Sequence, residues 1–259
     1  MSAGRMPLLF VGHGSPMNAL ADNPWTRTWA ELGRRLQQPE AILCLSAHYE
    51  TSGLCAVDLE LPETIHNFYG FPKALYDIRY PAPGSPEMAR RAVSLLGGSA
   101  RTARDWGLDH GAWSVLRVMY PQADIPVVQL SLDLSRSAGE QMMVGKLLQP
   151  LREEGILLVG SGNIVHNLRE IRPGQPEPFP WAQAFSEAVH SLVMSGQYQE
   201  VSQYQSLPGA APSVNSGEHF VPLLNILGAA DAADVPESFN HDLHWGSLSM
   251  TGYVLSEKP

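Results

Sequence analysis

Nine histidines are spread unevenly along the 259 residues. Five stand in contexts that could present an imidazole: His13 in "VGHGSP", His48 in "CLSAHYE", His110 in "LDHGAW", His166 in "GSGNIVHN" and His219 in "GEHFVPL". Neutral imidazole is the commonest metal ligand and exchanges protons near neutral pH. Three or four convergent imidazoles with little cysteine nearby suit Zn²⁺ or non-haem Fe²⁺. One histidine at a strand end is more often a hydrogen-bonded structural residue; five in such contexts point to a site. His66, His190, His241 and His244 lack that setting, and His190 falls inside a helical segment on the surface. "HDLHW" (241–245) has an i, i+3 pair that could take a metal but reads better as a solvated loop.

Other chemistries find less support. "GSGN" (160–163) could cradle a phosphate, yet neither G-x-x-x-x-G-K-[ST] nor G-x-G-x-x-G occurs. "GHGS" is not the G-x-S-x-G of a hydrolase elbow. Apolar residues make up 44% and charged residues 17%, an ordinary globular profile, and the formal net charge is −9. That charge speaks against nucleic acid as a partner and against a polybasic membrane anchor. Only Cys44 and Cys55 are present, too few for a disulfide framework, and both read as reduced thiols. With no signal-peptide pattern and no spanning apolar run, a cytoplasmic location is expected.

The elements that must position the histidines are legible as apolar runs. Residues 7–12, 41–47, 125–132 and 155–162 are nearly continuous in Leu, Ile and Val, as strands covered on both faces tend to be. Residues 247–255 predict a last strand. Helical spacing predicts helices over 25–37, 86–97, 181–195 and 220–229. A further helix over 137–153 opens on the capping box "SAGE", carries Met143, Leu147 and Leu151 on one face, and breaks near Pro150. Alternating strands and helices imply an α/β layered sheet, at least partly parallel. Ligand sites in such sheets collect outside the carboxyl ends of strands. His13 and His48 follow strands directly, and His166 lies within a helical turn of another. Two long irregular stretches, 60–84 and 197–218, are candidates for functional loops.

Together "GHGSPMNAL", "LSAHYET", "TIHNFYGFP", "YPAPGSPEMA", "WGLDHGAWSVL", "PVVQLSLD", "GSGNIVHNLR" and "EHFVPLLNILGA" resemble the bacterial and plant 4,5-DOPA extradiol dioxygenase family. That family is one of the class III extradiol ring-cleavage dioxygenases, with the catalytic subunit of protocatechuate 4,5-dioxygenase as a relative. The resemblance runs over residues 6–254. It implies a single α/β domain over residues 1–259, with a mixed central sheet flanked by helices, and one mononuclear metal site with His13 and His48 as the first two ligands. Relatives in the wider superfamily complete the set with a Glu. Here "GEHF" offers both Glu218 and His219, and His219 is the expected ligand. His166 resembles the active-site base and could also close on the metal as a fourth ligand. His110 in "DHG" resembles a histidine that either supports the ligands from behind or faces the substrate.

The resemblance implies opening of a catechol (DOPA-like) ring with O₂, with Fe²⁺ as the active metal and Zn²⁺ a frequent occupant after purification. The first hydroxyl proton of a catechol leaves near the phenolic pKa of ~10, so a dication that favours the catecholate is useful. A base must then take the second hydroxyl proton and an acid must assist O–O cleavage, roles for His166 and His110. Phe68, Tyr69, Phe71 and Tyr76 could wall a flat ring. The rival readings are a zinc-dependent hydrolase or tetrapyrrole chelatase, a non-catalytic metal-binding protein, and an interaction scaffold.

Overall fold

The computed structural model describes residues 5–257. Its strands are β1 (Leu8–Gly12), β2 (Ala41–Glu50), β3 (Leu54–Val57), β4 (Ala100–Ala103), β5 (Val127–Leu132), β6 (Ile156–Gly162), β7 (Asp234–Phe239), β8 (Leu243–His244), β9 (Leu248–Ser249) and β10 (Gly252–Glu257). Eight form one sheet in the order β4-β3-β5-β2-β6-β1-β10-β7, and β8 and β9 pair separately. The centre, β5-β2-β6-β1, is parallel; β10 runs antiparallel to β1, and β3 antiparallel to β5. The expected mixed sheet is therefore present, with its parallel strands in the middle.

The central strands are apolar on both faces because both faces are covered. Leu8, Phe10, Leu43 and Leu45 join one core, with α3 (Pro86–Leu96), α5 (Ala138–Leu148), α6 (Pro180–Met194) and α8 (Val221–Gly228) against it. Leu9, Val11, Ile42 and Cys44 face the other way, toward α1 (Pro24–Arg35) and α4 (His110–Met119). This period-two division follows from the pleat. Each fully buried large apolar side chain contributes roughly 1.5–3 kcal/mol. No helix among the described residues is long and apolar enough to cross a membrane.

Several sequence expectations need correction. The face of α5 is rotated: Met143 (55% exposed) and Leu147 (39%) look outward, while Met142, Val144 and Leu148 are buried. This helix is apolar nearly all round, so spacing could not choose its face. It ends at Leu148, and a 3-10 turn over Gln149–Glu154 contains Pro150. The predicted strand 247–255 is two strands, β9 and β10, interrupted at Met250 and Thr251. The stretch 197–218 is largely folded into a 3-10 helix, Tyr198–Ser206, and the short α7, Ala210–Ser213. In 60–84 only α2, Lys73–Tyr76, is regular.

Candidate metal centre

His13 is the first residue after β1, and the chain turns immediately at Gly14, whose φ of +61° suits glycine. Its backbone is pinned on both sides: His13 N donates to the Gly162 carbonyl (3.1 Å), and the Asn18 amide donates to the His13 carbonyl (3.1 Å). A strand that stops against a tight turn thus holds one imidazole in a fixed place.

His48 lies inside β2, because the strand runs three residues further than its apolar pattern. Its pairing with β6 ends at Ser46, and its register with β5 slips between Leu45 and Glu50. His48 sits in that irregular stretch. His110 opens α4, whose N-cap Asp109 accepts from Ala112 N. His166 lies beyond the end of β6, bridged to Leu248 and donating its backbone N–H to the Ser213 carbonyl (3.0 Å). His219 precedes α8, and its carbonyl accepts from Asn163 N (2.9 Å). A Cβ on Gly162 would lie 2.1 Å from that carbonyl, so the glycine of "GSGN" admits the His219 segment rather than a phosphate.

All five rings meet at the carboxyl ends of the central strands. The His13, His48 and His219 centroids form a near-equilateral triangle with sides of 5.0, 5.0 and 5.3 Å. His110 packs on His48 (3.8 Å between centroids), and His166 stacks on His219 at 3.4 Å and 7°. The nitrogens of His13, His48 and His110 lie within 4.8 Å of one another, as do the ligand atoms of His166, Glu218 and His219.

This donor set fits a metal ion. His13 and His48 approach through their Nε2 atoms at 3.2 Å. Two nitrogens at ~2.0–2.1 Å from one tetrahedral ion lie about 3.3 Å apart. His219 Nε2 is buried without a hydrogen-bond partner. The opposite nitrogens are held, as metal-binding imidazoles require: His13 Nδ1 by Ser161 Oγ (3.0 Å), His219 Nδ1 by Glu218 Oε1 (3.0 Å). Glu218 thus faces the back of the His219 ring. His110 Nδ1 meets Asn67 Oδ1 at 2.7 Å.

Electrostatics keep the group neutral. Burial, then the nearby histidines, hold His13 and His219 well below the ordinary imidazole range. His48 is also lowered by burial, against the pull of Asp109 and Glu218. Burial, His48 and His166 push His110 down to about 2. Burial brings His166 to about 4, with Glu218 opposing. Deprotonated imidazoles are the form that binds metal and accepts protons.

The loop after β3 closes one side. Phe68 meets His110 edge-on (5.4 Å) and packs with Phe71 and Tyr76 (both 5.2 Å). The Trp113 indole N–H ties the loop to α4 through the Ile65 carbonyl (2.8 Å). Tyr69, 92% exposed, turns away from this wall. His66, which the sequence did not single out, packs on the same wall against Trp113 (5.5 Å) and Phe68 (5.8 Å), whereas His190, His241 and His244 stay outside. His241 lies 3.4 Å from Glu187 and stacks with His190 (3.9 Å), while His244, in β8 rather than a loop, packs against Trp25 (4.7 Å). The i, i+3 pair therefore faces two different neighbourhoods. Sequence reading missed Asn67, Asp109, Ser46 and Ser161, whose partners are distant in the chain.

Residues 7–255 match the family described as the catalytic LigB subunit of aromatic ring-opening dioxygenase. The chain is 48% identical to the 4,5-DOPA dioxygenase extradiol of Escherichia coli (strain K12), over 96% of this chain and 94% of that protein. It is 37% identical to the 4,5-DOPA dioxygenase extradiol of Beta vulgaris, over 94% of each. The crystal structure of an uncharacterized protein from Escherichia coli K12 superposes with a TM-score of 0.85 at 40% identity, covering 97% of this chain and all of that one.

Proposed function

The chain belongs to the family of catalytic LigB subunits of aromatic ring-opening dioxygenases and is an extradiol ring-cleaving dioxygenase with a mononuclear metal site, and from that premise we propose that His13, His48 and His219 hold the ion through their Nε2 atoms. The substrate is a catechol of the DOPA type, the active ion is Fe²⁺, and residues 1–259 act as one catalytic domain. The observation that carries this reading is the imidazole triangle, with His13 Nδ1 and His219 Nδ1 held from behind and His219 Nε2 left unpartnered. A cytoplasmic setting goes with it, supported by two buried, free cysteines.

When bound, the ion acidifies a catechol hydroxyl and, as Fe²⁺, offers the redox change that ring and O₂ need. The chain supplies the rest. Phe68 and its aromatic neighbours give a flat wall against which a ring can lie and from which water is excluded. His166, neutral at physiological pH, accepts the second hydroxyl proton and returns it during cleavage. His110 keeps Nδ1 on Asn67 and leaves Nε2 for a hydrogen bond to substrate. Glu218 serves as the carboxylate behind His219 rather than as a ligand.

The test is metal exchange. Zn²⁺ binds above Fe²⁺ in the Irving–Williams order but has no redox change. Protein stripped and refilled anaerobically with Fe²⁺ should take up O₂ with DOPA and give a yellow ring-opened product, and the zinc form should not. Equal cleavage by the zinc form would overturn the redox role. An iron form that cleaves other catechols but leaves DOPA untouched would overturn the substrate.

A further inference from the structure

Ser161 lies in β6, fully buried, between two polar partners from different parts of the chain. Its hydroxyl donates to the Gly111 carbonyl at 2.6 Å, and its oxygen lies 3.0 Å from His13 Nδ1. A serine hydroxyl carries one proton. A carbonyl oxygen cannot donate, so an O···O separation of 2.6 Å needs that proton between the two oxygens. Toward His13, Ser161 can then only accept, and Nδ1 must carry the hydrogen. The Nε2 lone pair is left facing His48 and the metal position.

The arrangement has a fixed base. Gly111 belongs to the first turn of α4, and Ser46, the register partner of Ser161 on β2, donates to the N-cap carboxylate of Asp109 at 2.7 Å. The Gln129 amide holds the other oxygen of that carboxylate at 2.7 Å. A Cβ on Gly111 would come within 2.4 Å of Ser46 Oγ, so this turn sits directly on the serine-bearing strands. The carbonyl that takes the Ser161 proton therefore cannot drift away.

We propose that Ser161 is a positioning residue: it consumes its own proton on Gly111 and so forces His13 into the Nδ1–H tautomer, with Nε2 presented to the metal. The same hydroxyl ties His13 to the helix turn that begins with His110, so ligand and substrate-facing histidine keep one spacing. The proposal rests on the reading of His13 as a ligand.

Two measurements test it. In metal-free wild-type protein labelled with ¹⁵N-histidine, His13 should show a protonated Nδ1 and an unprotonated Nε2. In Ser161→Ala, Zn²⁺ affinity by chelator competition should fall roughly 10–100-fold, the range for losing such a partner, and His13 should populate both tautomers. Ser161→Thr, which keeps the hydroxyl, should recover most of the affinity. A wild-type His13 protonated on Nε2 overturns the proposal, whether or not the variants fold. So does a folded Ser161→Ala that binds Zn²⁺ like the parent. His13→Ala separates the two readings: if it keeps its metal, the ligand assignment fails and this inference with it. If it loses metal while Ser161→Ala does not, only the inference fails.

Discussion

Glu218→Gln is the substitution that discriminates best between the adjacent candidates at the third ligand position. In the structure Glu218 Oε1 accepts from His219 Nδ1 at 3.0 Å and also receives the Ser216 hydroxyl at 2.8 Å. Glutamine can keep an oxygen in that place but not the charge. Charge-assisted hydrogen bonds are about twice as strong as neutral ones, and a neutral bond is worth about 1 kcal/mol, so the change should cost roughly 1–1.5 kcal/mol, or about tenfold in metal affinity. The range for losing a partner behind a metal-binding histidine, roughly 10–100-fold, sets the upper limit. His219→Ala removes the ligand nitrogen itself and should cost far more. Both affinities are read by competition with a chromophoric chelator, alongside a melting curve for each metal-free variant. If Glu218→Gln empties the site while His219→Ala keeps its metal, the carboxylate is the ligand and the geometry described above has been read backwards.

Three further outcomes are expected. His166→Phe should lower turnover with catechol roughly 10²–10⁴-fold while metal content stays at the parental level, and metal lost along with activity would make His166 a fourth ligand. His110 and His166 have folded pKa values of about 2 and about 4, both below the unfolded value. Below pH ~6.5 the unfolded chain therefore binds protons that the folded chain does not, and stability falls with pH by up to about 1.4 kcal/mol per unit for each histidine, about 2 kcal/mol apiece by pH ~5. Urea titrations of the metal-free protein that give equal stability at pH 7 and pH 5 would contradict this. At the amino ends of the strands, the buried Arg152 donates to Asp234 at 2.7 Å and to the Met6 carbonyl at 2.8 Å. Asp234→Asn should cost about 3–5 kcal/mol by leaving a buried cation without its charge partner, with metal affinity unchanged, and a loss under 1 kcal/mol in urea would count against it.

The residues that were legible in the sequence carry their signal locally. The four parallel strands announce themselves as continuous Leu, Ile and Val because helices cover both faces. The five site histidines stand out because each follows a recognisable apolar run or stands at the start of a helical one, in Gly- or Ser-flanked contexts. The strands that escaped are short or polar: "LCAV" in β3, "ARTA" in β4 and "DVPESF" in β7 lack a run long enough to read. The partners of the histidines escaped for another reason. Ser161 stands 148 residues from His13, and Ser46 stands 63 from Asp109, so only the folded sheet brings each pair together. The wall was half legible: Phe68, Phe71 and Tyr76 pack together, but the alternation that sends Tyr69 outward is a property of the loop's path.

The strand that ends at His13 and those that carry Ser161 and His48 are immediate neighbours, β1, β6 and β2, in the middle of an eight-stranded sheet. Segments so placed exchange their amide hydrogens only when the whole fold opens, whereas loops with few regular bonds open on their own. The aromatic wall belongs to the second kind, since 60–84 holds little regular structure besides Lys73–Tyr76. The part that grips the metal and the part that feels the ring thus answer to different free energies. Lineages could exchange residues along that wall, and so change which aromatic compound is admitted, without drawing on the stability that keeps the imidazoles in place.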